Sequence, residues 1–252
     1  MLSILSLIDI VRQAGENARA NFGESKVCRE KENDDLVTNI DLKVEELIFS
    51  FIKKSFPEHG FDSEESEIYL PEADYIWILD PIDGTKYYQD NIPIYSISLA
   101  LQYKKKIIQG IVYLPETDEL FISSAEQDYL PQKNGKTISC SNMKNLEDIS
   151  VILEMPNRNN TNEEISNAML IIERLVKKVK RVRLLGVGSI SICYCAMGGF
   201  DLYVNLGINQ KHYDFSAGNL ILESANGYIY HGENITVGGR KENVFQLIEY
   251  LK

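Results

Sequence analysis

Trp77-Ile78-Leu79-Asp80-Pro81-Ile82-Asp83-Gly84-Thr85 (residues 77–85) runs from an apolar, strand-like segment straight into two aspartates. Carboxylates at the end of a buried strand are costly unless something pairs with them. Asp-Pro and Asp-Gly are strong turn dipeptides, so one reading is a surface turn with incidental acids. The other is that a cation is held there. Three features favour the cation. The apolar run puts the acids at the tip of a rigid strand, where sites are often built. Gly84 followed by Thr85 permits close backbone approach with a hydroxyl at the same spot. A second acidic cluster, Ser63-Glu64-Glu65-Ser66, lies shortly upstream, after a loop with Pro57 and Gly60.

Outward from this segment the chain changes rhythm once. On its N-terminal side, Ile4, Leu7, Ile8 and Val11 recur at helical spacing. Val44, Leu47, Ile48, Phe51 and Ile52 mark a second amphipathic helix, with Thr38 and Asn39 as capping candidates and Asp41 in or just before its first turn. On its C-terminal side, alternating residues at 95–101, 107–113 and 119–123 predict an antiparallel meander with a turn at Pro115. Beyond about residue 145, strand and helix alternate: strands at 151–154, 182–185, 200–204 and 228–231, helices at 165–179, 189–197 and 215–225. With no linker or repeat, the pattern predicts an α/β (α+β) chain of two intimately packed halves, 1–145 and 146–252.

Composition sets the context. The chain has 252 residues and a net charge of −11, which argues against a nucleic-acid polymer or an anionic membrane as partner. The four cysteines show no CxxC spacing, predicting reduced thiols in a cytoplasm, with Cys193 and Cys195 packed in a core. The N-terminus carries Asp9 and no basic region, a poor signal peptide.

Mg²⁺ takes oxygen ligands and is shared among a few carboxylates, waters and phosphate. Two acids flanking Pro81-Ile82 suit neighbouring ions, with the Ile82 carbonyl as a further oxygen and Pro81 limiting the entropy lost on binding. A haloacid-dehalogenase phosphatase needs a nucleophilic aspartate two residues before Asp83, and Pro81 stands there. Asp80-Pro81-Ile82-Asp83-Gly84-Thr85 instead resembles the signature of the inositol monophosphatase superfamily of Mg²⁺-dependent, Li⁺-sensitive phosphatases. Asp35-Leu36-Val37-Thr38-Asn39-Ile40-Asp41 and Ser63-Glu64-Glu65-Ser66 resemble its upstream motifs. Asp214-Phe215-Ser216-Ala217-Gly218, continuing to Glu223-Ser224-Ala225-Asn226-Gly227, resembles its C-terminal one.

The resemblance implies a layered αβαβα sandwich, two or three Mg²⁺ per site, a homodimer, and a small phosphorylated metabolite as substrate. It implies Glu64, Asp80 and the Ile82 carbonyl as ligands of a first ion, and Asp80, Asp83 and Asp214 as ligands of a second. Glu64 would also serve a weaker third ion through water. Asp41 and Thr85 match the pair that deprotonates the attacking water, and the Gly84 and Thr85 amides would receive phosphate. Glu65 is either a supporting acid or simply solvated.

Departures concern the substrate. Asn205 stands where inositol monophosphatases carry an acid for a sugar hydroxyl, and the loop Ile208–Tyr213 is longer than usual. Lys86 is similar to the branch that removes the 3′-phosphate from phosphoadenosine phosphate, and is equally a surface charge. Ser189 is a substrate contact or a helix N-cap, and His212 fills a loop rather than binding metal. The leading expectation is an inositol or sugar phosphate phosphatase. The alternatives are a 3′(2′),5′-bisphosphate nucleotidase and a non-catalytic metal- or phosphate-binding regulator.

Overall fold

A computed structural model describes residues 4–30, 36–125, 129–207 and 211–252. The chain opens with α1 (Ile4–Ala20), the ribbon β1 (Val27–Glu30) and β2 (Leu36–Thr38), and α2 (Asn39–Ser55). A seven-stranded sheet follows: β3 (Gly60–Ser63), β4 (Tyr75–Asp83), β5 (Ser96–Tyr103), β6 (Lys106–Leu114), β7 (Glu119–Ser124), β8 (Tyr129–Lys133) and β9 (Lys136–Thr137). From β4 to β9 it is an antiparallel meander, of which β5 to β7 were expected, while β3 pairs in parallel with β4. A short α3 (Thr85–Gln89) sits between β4 and β5.

The remaining chain builds a five-stranded sheet. Its strands are β10 (Ser150–Glu154), β11 (Arg181–Leu184), β12 (Leu202–Asn205), β13 (Tyr228–His231) and β14 (Thr236–Gly239), in the order β11-β10-β12-β14-β13. Its helices are α4 (Asn162–Lys178), α5 (Gly188–Ala196), α6 (His212–Ser224) and α7 (Lys241–Leu251).

The strand period of two sorts the side chains into three cores. Trp77 and Leu79 of β4, with Ile97 and Leu99 of β5, pack under α1 and α2. Ile78, Ala100 and Val112 point the other way, onto Ile190 and Ile192 of α5 and Ala217 and Ile221 of α6. Val151, Leu153, Leu202 and Val204 pack against Leu175 of α4 and Val244 and Leu247 of α7. Helices and sheets therefore stack α-β-α-β-α, as the resemblance implied. Truncating a fully buried member such as Leu79 to Ala is expected to cost about 2–5 kcal/mol.

The middle layer positions the site. A Cβ on Gly110 of β6 would lie 2.6 Å from the Ala217 carbonyl, so α6 rests directly on the first sheet. Cys193 and Cys195 are buried in this layer as expected. Periodicity missed the short strands and α7, and it started α6 at Phe215, whereas the helix begins at His212 and takes Asp214 into its first turn.

Candidate metal centre

β4 ends in a bulge. Asp80 pairs with Ser98 and Asp83 with Ser96, so an extra residue is inserted on the β4 side. A bulge bends the strand and re-aims its side chains. The Ile82 amide donates to Asp80 Oδ1 at 3.0 Å, fixing that carboxylate. Gly84 then turns the chain at φ +102°, and a Cβ there would meet the Ile94 carbonyl at 2.8 Å. Only glycine satisfies both the dihedral and the contact.

The other acids arrive from separate elements. Glu64 follows β3, its amide bonded to the Leu79 carbonyl at 3.1 Å. Asp214 lies in the first turn of α6, favourable for a negative charge. One carboxylate oxygen from each of Glu64, Asp80 and Asp214 lies within 4.8 Å of the others. Asp83 lines the same cavity, of about 500 Å³. Its Oδ2 accepts from the Ser189 amide of α5 at 2.8 Å.

Electrostatics follow from this crowding. Burial pushes the Asp80 carboxyl well above the usual carboxylate range, and the negative charges of Glu64, Asp83, Asp214 and Asp41 push it further. Asp83 is raised to about 6, chiefly by burial and against hydrogen bonds from Ser189 and Gly188.

Asp41 is built differently. Thr38 caps α2, with a reciprocal capping box: its hydroxyl accepts from the Ile40 and Asp41 amides, and its own amide donates to Asp41 Oδ2 at 3.0 Å. The Thr38 hydroxyl also donates to that carboxylate. The other oxygen, Oδ1, accepts from Thr85 Oγ1 at 3.2 Å. Asp41 is 1% exposed, and burial outweighs these bonds to raise its pKa to about 6. The Thr85 hydroxyl has one proton and a second acceptor, the Ile82 carbonyl at 2.8 Å.

The expected substrate contacts divide. Gly84, Thr85 and Lys86 line the cavity, joined by Tyr87, Asp90 and Asn157, which sequence reasoning did not single out. Asn205 turns inward instead. It is 4% exposed, its Nδ2 donates to the Tyr203 hydroxyl at 2.9 Å and its Oδ1 accepts from the Gly207 amide at 2.7 Å. Ser189 is buried inside α5, its Oγ 2.6 Å from Ser96 Oγ; the N-cap is Val187, which corrects that alternative. His212 opens α6 and sits 2.6 Å from Asp62, a correction to the loop-filling expectation. Glu65 is buried. Asp35 and residues 208–210 of the long loop fall outside the described residues.

One acid was missed. Glu154, at the end of β10, is raised to about 7 by burial, while its Oε1 accepts from Ser191 Oγ at 2.6 Å. A lone acid closing the apolar run Val151–Leu153 was the available signal.

The inositol monophosphatase family model matches residues 3–241. The chain belongs to the inositol monophosphatase family. It is 32% identical to inositol monophosphatase 1 of Solanum lycopersicum over 229 residues, covering 88% of this chain and 82% of the relative. It is 29% identical to the Nus factor SuhB of Pseudomonas aeruginosa over 203 residues, covering 79% and 73%. The crystal structure of the extragenic suppressor protein suhB from Bartonella henselae superposes with a TM-score of 0.90 at 26% identity, covering 99% of this chain and 98% of that one.

Family members are metal-dependent phosphomonoesterases that use Mg²⁺. The donor set here fits that ion: the Glu64, Asp80 and Asp214 carboxylates offer hard oxygens, and among the described residues no histidine or cysteine joins them.

Proposed function

We propose that this protein is a Mg²⁺-dependent phosphomonoesterase that hydrolyses a small phosphorylated metabolite, an inositol monophosphate or related sugar phosphate. The observation that carries the reading is the Thr85–Asp41 hydrogen bond, 3.2 Å, beside the converging carboxylates. The capping box of α2 accounts for Asp41 Oδ2 alone; the coupling of Oδ1 through the Thr85 hydroxyl to the cavity wall is what a protein that only bound metal or phosphate does not require. That distinction matters because one relative is named a Nus factor and another a phosphatase.

In the proposed reaction Glu64, Asp80, Asp83, Asp214 and the Ile82 carbonyl would hold Mg²⁺, which when bound would supply Lewis-acid activation and charge neutralisation. Thr85 Oγ1 accepts the attacking water's proton as it passes its own to Asp41 Oδ1; the water oxygen forms the new P–O bond as the ester P–O bond breaks, and the alkoxide leaves as the alcohol with a proton from solvent. Asp41, raised to about 6, is ionised at neutral pH and yet basic enough to take it. The Gly84 and Thr85 amides orient the phosphate. With Asn205 turned inward, Asp90 and Asn157 line the cavity as hydrogen-bonding groups for the substrate's hydroxyls. Lys86 on the cavity wall favours one second reading, a 3′(2′),5′-bisphosphate nucleotidase whose substrate carries an additional phosphate. A homodimer is proposed on the resemblance alone. A reducing cytoplasm is supported by four free cysteines, three of them buried. No helix among the described residues is long and apolar enough to cross a membrane.

The test is phosphate release from inositol 1-phosphate, fructose 1,6-bisphosphate and phosphoadenosine phosphate, each with and without Mg²⁺. Mg²⁺-dependent release strongest with inositol 1-phosphate is expected. Preference for phosphoadenosine phosphate selects the nucleotidase, and no release from any of the three overturns the enzymatic reading.

A further inference from the structure

Two consecutive residues before and at the start of α6 reach back to β3 and the turn after it. Lys211 Nζ lies 3.1 Å from Glu64 Oε1, and His212 Nε2 lies 2.6 Å from Asp62 Oδ2. The first of these contacts falls inside the candidate site. Lys211 lines the same cavity as Glu64, Asp80 and Asp214, and the Glu64 side chain it meets is only 14% exposed. Its ammonium also stands 5.7 Å from the centre of the Tyr213 ring, a second attraction that favours this position.

A lysine so placed differs from a divalent ion in three ways. It carries a single charge and cannot polarise a water as a Lewis acid does. It contacts oxygen at hydrogen-bond distance, whereas Mg²⁺ draws oxygen to about 2.1 Å. It is tethered, so its local concentration does not depend on the medium. An ammonium on Glu64 therefore neutralises part of the cluster when metal is scarce. It also repels any cation approaching the same oxygen.

We propose that Lys211 is a built-in counter-ion of the metal centre: its ammonium takes the outer position on Glu64 and excludes the most weakly bound divalent ion from it. The inference rests on the proposed function, which assigns Glu64 to the metals. Lys211 is in this view a positioning residue, holding Glu64 through charge, and takes no part in proton transfer. The wild-type site then holds fewer than three divalent ions. Removing the ammonium opens the outer position.

The test compares wild type with Lys211→Met and Lys211→Arg, using Mn²⁺ binding followed by calorimetry and by the paramagnetic signal of free ion, without substrate. Wild type is expected to bind fewer than three Mn²⁺ per chain. Lys211→Met is expected to bind one more, with overall affinity raised about tenfold by loss of a nearby positive charge. Lys211→Arg should match wild type in both respects. In chelator, Lys211→Met should melt below wild type, because the carboxylates lose their counter-charge. Three ions in wild type, or unchanged stoichiometry and affinity in Lys211→Met, overturns the inference. If Lys211→Met fails to fold, the wild-type stoichiometry and Lys211→Gln decide the matter. If wild type binds no Mn²⁺ at all, the proposed function fails, and melting in chelator alone judges Lys211: a lower midpoint in Lys211→Met supports the counter-ion and an unchanged one overturns it.

Discussion

Two corners of this molecule bury a carboxylate in nearly the same way. At the β2–α2 corner Asp41 is held by Thr38 and Thr85, and burial raises it to about 6. At the β10–α5 corner Glu154 is held by Ser191 and the Gly186 amide, and burial raises it to about 7. Both accept from a hydroxyl, and both sit near the acids of the candidate metal centre. The difference is what the hydroxyl touches. Thr85 lines the cavity, whereas Ser191 is buried within α5. A raised pKa therefore marks an enclosed acid, and only the geometry beyond it makes a base.

The contrast breaks most readily on turnover. Asp41→Asn is expected to lower kcat by about 10²–10⁴, the usual size for loss of a general base, with little change in Mg²⁺ affinity. Glu154→Gln should alter kcat by less than about threefold, since Gln keeps an oxygen for Gly186 and Ser191 can accept from its amide. Equal losses in steady-state assays at saturating Mg²⁺ would erase the distinction between the corners.

A double-mutant cycle sharpens the Asp41 side. Thr85→Ala alone should also cost about 10²–10⁴ in kcat, and the double mutant little more than either single one, because a broken relay cannot be broken twice. Losses that multiply would reduce Asp41 to a helix-capping charge.

How much of this was legible beforehand differs between the corners too. The β2–α2 corner is local: Thr38 and Asp41 are three residues apart in a capping pattern, and Thr85 belongs to the same motif as Asp80 and Asp83. Glu154 announced only that an acid closed an apolar strand; its partner Ser191 comes from a helix the pattern could not dock. Asn205 shows the same limit. Its identity was visible, but its direction is set by Tyr203 and Gly207 at the strand end. The two periods of the apolar faces made an α/β chain of two packed halves legible, whereas the order of the layers came from the family resemblance. The parallel pairing of β3 with β4 left no such trace, since it depends on where the chain returns after the 64–74 segment.

A smaller effect separates the acids by pH. Asp80 and Asp83 have folded-state pKa values raised above the ordinary 3.8, Asp83 to about 6. The folded, metal-free state thus binds more protons than the unfolded one between about pH 4 and 6, and loses stability as pH rises through that window. Mg²⁺ prefers the ionised carboxylates, so the gap in Tm between Mg²⁺-loaded and chelated protein should widen from pH 5 to pH 7. A gap independent of pH would mean these carboxylates do not hold the ion.

The smallest effect belongs to Glu154. Its folded pKa of about 7 lies above the ordinary 4.5, so its ionisation costs stability as pH rises through this range, at most roughly 3 kcal/mol above pH 7. Glu154→Gln removes that cost. Its Tm relative to wild type should climb by several degrees between pH 5 and pH 8, read by calorimetric scans in chelator. A constant difference would show that Glu154 stays ionised or solvated.

The close seating of α6 on β6, where Gly110 leaves room for the Ala217 carbonyl, has a consequence for how the protein is made. Glu64 and Asp80 leave the ribosome long before Asp214, and the cluster is complete only once the helix His212–Ser224 has docked between the sheets. On the proposed function a nascent chain thus carries an unfinished ligand set, and a divalent ion would act as a late clasp over an otherwise assembled fold. Interactions made after the folding barrier slow escape from the native state more than they speed arrival. Magnesium should therefore lengthen the lifetime of the finished protein while leaving its rate of birth almost untouched.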